Sequence, residues 1–149
     1  MLKIKSDISY QELEKEVRKI IKKSNHKLEI GFFGTARYPS GVQVASVAFW
    51  HNYGKGNNPA RPFFTNAVNN NAKNWLSIFA DCVKRDKEIK VDKALKMVGN
   101  KAVADIKKSI TELKTPALAQ ATIDRKKSSN PLIDTGLLRN SVTYKVSGR

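Results

Sequence analysis

The chain has 149 residues and carries 28 Lys and Arg against 13 Asp and Glu, which gives a formal net charge of +15 and a pI near 10.0. That length suits one domain with a modest core, and we expect residues 1–149 to fold as one unit. The charge predicts a polyanionic partner, which is nucleic acid, an acidic protein face or an anionic membrane, and charge alone does not choose among them.

The cysteine content and the hydropathy pattern narrow the cellular context. Cys82 is the single cysteine, which excludes an internal disulfide framework and fits a reducing compartment such as a bacterial cytoplasm. Because it lies in an apolar helical pattern, we expect a small buried or half-buried side chain rather than a reactive thiol. No stretch approaches the roughly 20 apolar residues of a membrane span, and the first residues lack an apolar run of signal-peptide length. We therefore expect a soluble protein that is not exported and has no membrane partner.

The first predicted element is an N-terminal helix. Ser9 followed by Glu12 forms a capping-box pattern, and the apolar residues after it recur at helical spacing, which predicts a helix over Tyr10–Ser24. Alternation of apolar side chains over residues 28–33 predicts a strand with one face toward the core. The Tyr-Pro-Ser-Gly sequence at 38–41 then predicts a turn or a flexible loop.

The next segment is ambiguous between two kinds of secondary structure. Residues 42–50 fit a strand or a short helix, and we favour the helix because Val47, Ala48 and His51 continue its spacing. The Tyr-Gly-Lys-Gly-Asn-Asn-Pro sequence at 53–59 predicts a loop, which is also a candidate for a mobile contact arm.

Two long helices are predicted to form the main body. The first starts at Pro62, a position where a first-turn proline is tolerated. Its apolar stripe comprises Phe64, Val68, Ala72, Trp75, Leu76, Phe79 and Val83. The second covers residues 91–113, with Asp92 as a cap or first-turn acid. Its apolar stripe comprises Leu95, Val98, Ala102, Ile106, Ile110 and Leu113.

The C-terminal part is predicted to contain short elements. The Thr-Pro pair at 115–116 ends the second long helix, and residues 118–123 are expected to form a short helix. Residues 125–130 are basic and Ser-rich and lack the apolar side chains needed to pack, so we expect them, like residues 54–58, to become ordered on assembly.

A turn of helix and a strand are expected to close the fold. Asp134 is predicted to cap a helical turn that runs through Asn140, and alternation over residues 142–146 predicts a last strand. The predicted class is therefore α+β, with a small antiparallel sheet packed against two long helices of about 30 Å each and the N-terminal helix.

The triplet Asp134, Thr135 and Gly136 matches the active-site sequence of aspartic proteases. Those enzymes use two carboxylates that share one proton, so a chain with one such triplet requires a dimer. The triplet lies 13 residues before the last residue of this sequence, which leaves no room for the flaps and the second half of a protease lobe. We therefore expect no protease activity.

Other catalytic, metal and cofactor patterns are absent from the sequence. Neither His26 nor His51 stands at a metal-ligand spacing from another good ligand. The Gly-Phe-Phe-Gly sequence at 31–34 is not followed by Gly-Lys-Ser or Gly-Lys-Thr, so it is not a phosphate-binding loop. No Gly-x-Ser-x-Gly sequence marks a hydrolase. We expect a protein that is not an enzyme and has no cofactor.

Basic residues are densest over residues 84–127, with 13 Lys and Arg against 6 acids. One hypothesis is a surface for DNA phosphates, where each neutralised phosphate releases counterions. The alternatives are an acidic neighbouring protein and a solvated helix face, and no recognition-helix or zinc-finger pattern is present. The candidate contact residues for DNA or an acidic partner are Lys84, Arg85, Lys87, Arg125, Lys126 and Lys127.

Two motifs resemble the head-tail joining and tail-completion proteins of tailed bacteriophages, which are also called neck or minor tail proteins. The first is Pro-Ala-Arg-Pro-Phe-Phe at 59–64, and the second is Pro-Leu-Ile-Asp-Thr-Gly-Leu-Leu-Arg-Asn-Ser at 131–141. The order of elements over residues 9–146 is also similar to that family. One departure is Asn52, because members of the family often carry Glu before the aromatic-Gly pair.

The resemblance implies a structural virion protein that is assembled in the host cytoplasm and forms a ring in the neck, between the DNA-filled head and the tail. The implied partners are further copies in a six- or twelve-fold ring, head connector or portal-adaptor proteins, and tail terminator or tail tube proteins, with packaged duplex DNA as a further candidate. The alternative function is a basic, non-enzymatic DNA-binding protein.

The resemblance also implies roles for individual residues. The structural motif positions are Arg61, Pro62, Phe63, Phe64, Asp134, Thr135 and Gly136. Arg61 would pair with an acid or a helix-end carbonyl, and Phe63 and Phe64 would anchor the long helix. Asp134 would cap the last turn and hold the strand register. For each of these, maintenance of the fold is expected ahead of direct partner contact.

Overall fold

A computed structural model describes residues 9–85, 90–127, 129–132 and 136–148. Within these ranges the elements, in chain order, are α1 (Tyr10–Ser24), β1 (Lys27–Phe32), α2 (Val44–Tyr53), α3 (Phe63–Arg85), α4 (Val91–Glu112), α5 (Gln120–Lys126), α6 (Leu137–Asn140) and β2 (Val142–Ser147). Six helices and one two-stranded antiparallel sheet confirm the predicted α+β class.

Helix α1 has the predicted bounds because its start signal is local. Ser9 Oγ accepts the Glu12 backbone N–H at 3.3 Å, and Glu12 Oε2 accepts the Ser9 backbone N–H at 2.9 Å. This reciprocal pair satisfies two donors that the first turn of a helix otherwise leaves open. Val17 and Ile20 are buried on the inner face of α1.

The two predicted strands pair with each other in antiparallel register. Opposite residues include Leu28 with Val146, and Ile30 with Tyr144. Leu28, Ile30 and Val146 pack against the buried core, so one face of the sheet lies on the helices as predicted. The turn predicted at residues 38–41 is also confirmed, since Gly41 donates its N–H to the Tyr38 carbonyl at 2.8 Å.

Helices α3 and α4 form an antiparallel hairpin that carries two buried clusters along its length. One cluster joins α1 to the second half of α3 and the first half of α4, and comprises Val17, Ile20, Trp75, Phe79, Ala80, Val83, Ala94, Leu95, Val98 and Ala102. The other joins α2, the start of α3, the second half of α4 and the C-terminal segment, and comprises Val44, Ala48, Phe63, Ala67, Ile106, Ile110, Leu132, Leu138 and Val142.

The apolar stripe predicted for α3 is confirmed at Trp75, Phe79 and Val83, but it is wrong by one residue in the first part of the helix. The buried residues are Phe63, Ala67, Trp75, Phe79, Ala80 and Val83, whereas Phe64, Val68, Ala72 and Leu76 are only half-buried. The difference arises from tertiary packing. Helix α3 packs mainly on α4, while α1 and α2 cover only part of the face of α3 that carries the half-buried side chains. A single side-chain pattern does not distinguish these two faces.

The stripe predicted for α4 is confirmed from Leu95 to Ile110, but the ends of the helix differ from the prediction. Leu113 follows the helix and is half-buried. Lys90 occupies the N-cap position, so Asp92 is the first-turn acid and not the cap. Asp92 forms an ion pair with Lys96 at 3.3 Å.

A buried carboxylate fixes α3 against α4. The Trp75 indole Nε1 donates to Asp105 Oδ2 at 2.8 Å, and Lys101 Nζ contacts the other carboxylate oxygen. Both oxygens of a group that is only 9% exposed therefore have donors. Since a buried carboxylate without partners is costly, this arrangement favours one alignment of the two helices.

The helix after α4 lies later in the chain than predicted. It covers Gln120–Lys126, and the Ala119 carbonyl accepts the N–H groups of Thr122 at 2.9 Å and Ile123 at 3.1 Å. Arg125 and Lys126 are therefore helical, whereas the sequence predicted a helix that ends at residue 123. Whether residues 125–130 become ordered only on assembly stays a prediction. Residues 54–59 form most of the predicted loop, since Tyr53 is the last residue of α2, and Lys55 pairs with Asn58 at the tip of the loop. Whether that loop is mobile stays a prediction.

Helix α6 ends at Asn140 as predicted and begins at Leu137. Gly136 precedes it with a φ of 78°, a left-handed conformation that glycine adopts without steric cost. Asp134 and Thr135 lie outside the described residues, so the capping role of Asp134 stays a prediction. None of the helices in the described ranges is both long and apolar enough to cross a membrane.

Replacement of Gly99 by Ala should destabilise the protein. An ideal Cβ at Gly99 would lie 2.5 Å from Tyr144 Cδ2 and 2.6 Å from Tyr144 Cγ. The Tyr144 ring on β2 would therefore have to move away from α4. Overpacking costs about 1–3 kcal/mol and the gain in helix propensity is about 1 kcal/mol, so we expect a net loss of about 1 kcal/mol in urea unfolding. Asn100→Ala, at an exposed position of the same helix, is the matched control. Equal or greater stability of Gly99→Ala than of wild type would contradict this packing.

Candidate assembly surfaces at the two ends of the helical hairpin

The start of α3 is capped by a side chain from another helix. Asn52 on α2 is 5% exposed, and its Oδ1 accepts the backbone N–H groups of Phe64 at 3.0 Å and Thr65 at 3.2 Å. Its Nδ2 donates to Thr65 Oγ1 at 2.8 Å. These bonds satisfy donors that the first helical turn leaves open. The sequence marked Asn52 only as a departure from the family pattern and gave no indication of this role.

Arg61 ties the same region to the segment after α4. Its side chain is 5% exposed, and Nε donates to the Pro116 carbonyl at 2.8 Å while Nη2 donates to the Ala117 carbonyl at 3.2 Å. Its backbone N–H donates to the His51 carbonyl at 2.6 Å. The expected partner was an acid or a helix-end carbonyl, and the observed partners are two carbonyls that lie just beyond the end of α4.

The aromatic residues of the first motif anchor α3 unequally. Phe63 is fully buried and makes edge-on contacts with Phe32 at 6.2 Å and with Phe64 at 6.4 Å between ring centroids. Phe64 is half-buried, so only Phe63 is a full anchor. Pro62 directly precedes the helix, and its carbonyl accepts the Asn66 N–H at 2.8 Å.

The two motifs, which are far apart in sequence, come together in the fold. Leu132 and Leu138 of the second motif are buried in the same cluster as Phe63, and Gly136 lines the same cleft as Arg61. We call this region, which comprises α2, the start of α3, α5 and residues 131–132 and 136–138, the motif end of the molecule.

The motif end exposes two large aromatic side chains. Phe49 and Tyr53 are 60% and 64% exposed, and their ring centroids lie 4.8 Å apart. With Phe64 they border a shallow depression of about 250 Å³, and we call these three residues the aromatic patch. The sequence did not predict it, because α2 is apolar on every side and its buried face of Val44, Ala48 and Asn52 is known only from the packing.

Positive charge gathers at the opposite end of the hairpin. There the end of α1, the start of α4 and the end of β2 line one depression, to which Ser24, Lys90 and Val146 contribute. The start of β1 pairs with the end of β2, and the end of α3 lies beside the first part of α4, where Cys82 contacts Met97. We call this region the basic end, and its cations are Lys22, Lys23, Lys27, Lys84, Arg85, Lys90, Lys93 and Lys96. Lys27 and Lys96 form exposed ion pairs with Glu29 and Asp92.

The structure divides the candidate basic contact residues into two groups. Lys84 and Arg85 belong to the basic end, whereas Arg125 and Lys126 line the cleft at the motif end. The 23 residues of α3 separate these groups, which corresponds to about 34 Å at the rise of an α-helix. Lys127 follows α5 with a positive φ, and Lys87 lies outside the described residues. The dense basic segment of the sequence therefore does not form one surface.

The described residues contain no arrangement suited to metal binding. No group of three or more His, Cys, Asp or Glu side chains in these ranges could hold a metal ion. His26 lies at the basic end and His51 at the motif end, so the two histidines belong to different sites. Cys82 is half-buried as predicted, with its Sγ 3.5 Å from Met97 Sδ.

His51 lies in a positive environment at the motif end. Burial lowers the pKa of His51 from its ordinary value of 6.5, and the positive charges of Arg61 and Lys126 lower this pKa further. The imidazole is therefore neutral at neutral pH, and protonation of this group opposes folding.

The chain matches no protein-family model, no curated protein and no solved structure. The likeness to phage neck proteins therefore rests on the two motifs and on the order of elements. The function has to be inferred from the geometry of the two ends.

Replacement of Asn52 by Ala should destabilise the protein by about 1–3 kcal/mol, because the partly buried N–H groups of Phe64 and Thr65 lose their acceptor. Urea unfolding of Asn52→Ala measures this loss. Asn69→Ala, at an exposed position of α3, is the control and should change stability little. Equal stabilities for the two variants would show that Asn52 does not cap the helix.

The pKa shift of His51 predicts the direction of a pH effect. Since the folded-state pKa lies below 6.5, the unfolded chain takes up a proton first, and stability falls as pH drops from 6.5 through the folded-state pKa. Urea unfolding between about pH 7.5 and pH 5.5 should show this loss in wild type and a smaller loss in His51→Gln. A His51→Gln slope equal to that of wild type would refute the assignment.

Proposed function

We propose that the protein is a structural component of the phage neck, which assembles into a ring and joins the DNA-filled head to the tail. The observation that carries this proposal is the separation of an exposed aromatic patch from the basic end by the length of the α3–α4 hairpin. An assembly protein needs separate surfaces for different partners, and the two ends differ in chemistry as that role requires.

The aromatic patch suits contact between copies of the chain. Phe49 and Tyr53 expose more than half of their surface, and aromatic side chains are enriched in protein interfaces. Every described residue that lines the depression beside them is uncharged. Copies with a net charge of +15 repel each other at most surfaces, so an uncharged apolar patch is where they can approach with least electrostatic cost.

The basic end suits a polyanion. Its cations belong to the ends of four elements and greatly outnumber the acids that pair with them in the described residues. Packaged duplex DNA in the neck, or an acidic face of a head connector, portal-adaptor, tail terminator or tail tube protein, would be attracted to this end.

A ring follows if the aromatic patch of one copy docks on a different surface of the next copy. Such head-to-tail interfaces close into rings when the rotation that relates one copy to the next is a whole-number fraction of a full turn. The resemblance to neck proteins favours six- or twelve-fold closure. The absence of a metal cluster among the described residues is compatible with a non-enzymatic role but does not argue for it.

A second candidate function is a stand-alone, basic DNA-binding protein, which the cation cluster at the basic end favours. The two functions differ in how they use the aromatic patch. A DNA-binding protein binds duplex as a small species without this patch, whereas a neck protein needs the patch to assemble.

The double variant Phe49→Ser and Tyr53→Ser should fail to assemble while remaining folded, because it removes only exposed apolar surface. Light scattering across a concentration series, with and without short duplex DNA, measures the mass of the particles. Wild type should reach a closed particle of six or twelve copies of the 16.7-kDa chain, alone or with connector or tail proteins. The double variant should stay small.

Met97→Ser provides the control, because Met97 is also exposed, at 47%, but lies beside Cys82, well away from the motif end. It should assemble like wild type. A wild-type protein that stays small under every condition, yet binds duplex stoichiometrically at low salt, would overturn the neck proposal and favour the DNA-binding function. Assembly of the double variant like wild type would show that the patch is not the contact between copies.

A further inference from the structure

A second concave surface at the motif end is not used in the function proposed above. It is a cleft of about 750 Å³ between α2, the loop that precedes α3, α5 and the second motif. Its size lies in the range of roughly 300–1,000 Å³ that is typical of ligand-binding sites. Its described walls combine cations with apolar side chains, so its chemistry differs from that of the uncharged aromatic patch.

Arg61 provides a buried cation with a free donor in this cleft. Two of its guanidinium nitrogens donate to the backbone carbonyls of Pro116 and Ala117. The remaining nitrogen, Nη1, donates no hydrogen bond to a described residue, although Arg61 is only 5% exposed and lines the cleft. A guanidinium that is fixed in this way, and that keeps unused N–H groups, is well suited to accept an anionic oxygen.

The rest of the cleft reinforces its positive character. Arg125 is exposed on α5 and makes no ion pair with a described residue, and Lys126 adds a third cation to the wall. None of the described lining residues is Asp or Glu. Burial lowers the pKa of His51, and the positive charges of Arg61 and Lys126 lower this pKa further, as expected for a cationic cleft. Charge complementarity therefore calls for an anionic occupant.

The apolar part of the wall restricts the class of anion. Leu118, Leu132 and Leu138 line the cleft together with the cations, so an occupant that carries both carboxylates and aliphatic side chains would match it. A nucleic acid fits less well. A duplex is too broad to enter a concave cleft of this volume. Lys55 Nζ lies 3.4 Å from the centroid of the Trp50 ring and covers one face of it, which reduces the aromatic surface on which a base could stack.

We propose that this cleft binds an acidic segment of a partner protein, in which carboxylates meet Arg61 and Arg125 while aliphatic side chains pack on the leucines of the wall. This inference rests on the cleft alone and holds whether the protein works in a phage neck or as a DNA-binding protein.

Short randomised peptides are selected on the full-length protein at physiological ionic strength, and the enriched peptides are labelled and measured by fluorescence anisotropy. Selected sequences should combine Asp or Glu with aliphatic residues. Their affinity should fall about tenfold for Arg125→Glu, since one charge-paired contact becomes repulsive. Leu118→Ser should also weaken binding. Replacement of the peptide carboxylates by amides should weaken binding of the peptide to the wild-type chain. The same replacement should cause no further loss of binding to Arg125→Glu, where the charge-paired contact is already absent.

Arg85→Glu is the matched control, because it makes the same change of charge at an exposed position of the basic end. It should keep wild-type affinity, which separates binding in the cleft from attraction to net charge. Equal losses for Arg85→Glu and Arg125→Glu, or no enrichment of acidic peptides on the wild-type chain, would overturn the proposal. Stronger binding of a single-stranded oligonucleotide, with loss confined to Arg125→Glu, would identify nucleic acid as the occupant instead.

Discussion

The first turn of α3 imposes the constraint on which the motif end depends. Its backbone N–H groups are partly buried and need acceptors, and Asn52 supplies one to both Phe64 and Thr65. That requirement fixes the rotation of α2, which in turn places Phe49 and Tyr53 on the outside. Arg61, bonded to the carbonyls of residues 116 and 117, holds the segment after α4 beside the same helix start. The aromatic patch and the cationic cleft are therefore consequences of one junction.

The hairpin of α3 and α4 carries this junction at one end and the basic end at the other. Two buried clusters lie along its length, and the bond between Trp75 and Asp105 fixes one alignment of the two helices. Because packed helices deform little, the distance between the surfaces at the two ends is set by the fold. A rigid spacer of this kind allows one end to contact a neighbouring copy while the other faces a polyanion.

The parts of the fold that were predictable are those with local causes. The capping box at Ser9 and Glu12 determines where α1 begins, and period-two alternation marks both strands. The junction was not predictable, because Asn52 contacts residues 12 and 13 positions away and Arg61 contacts carbonyls 55 and 56 positions away. The basic end depends equally on how α3 and α4 fold back. The sequence places the cations of α3 and α4 in one basic segment with those of α5, over residues 84–127, and gives no indication that Lys22, Lys23 and Lys27 join the basic end.

Native-state hydrogen exchange of the backbone amides at the start of α3 tests the role of Asn52 most directly. If Asn52 holds this turn as part of the cooperative core, the N–H groups of Phe64 and Thr65 should exchange only through global unfolding, as slowly as that of Ile106 in α4. Rapid exchange of Phe64 and Thr65 through a local opening, while Ile106 stays protected, would contradict the account.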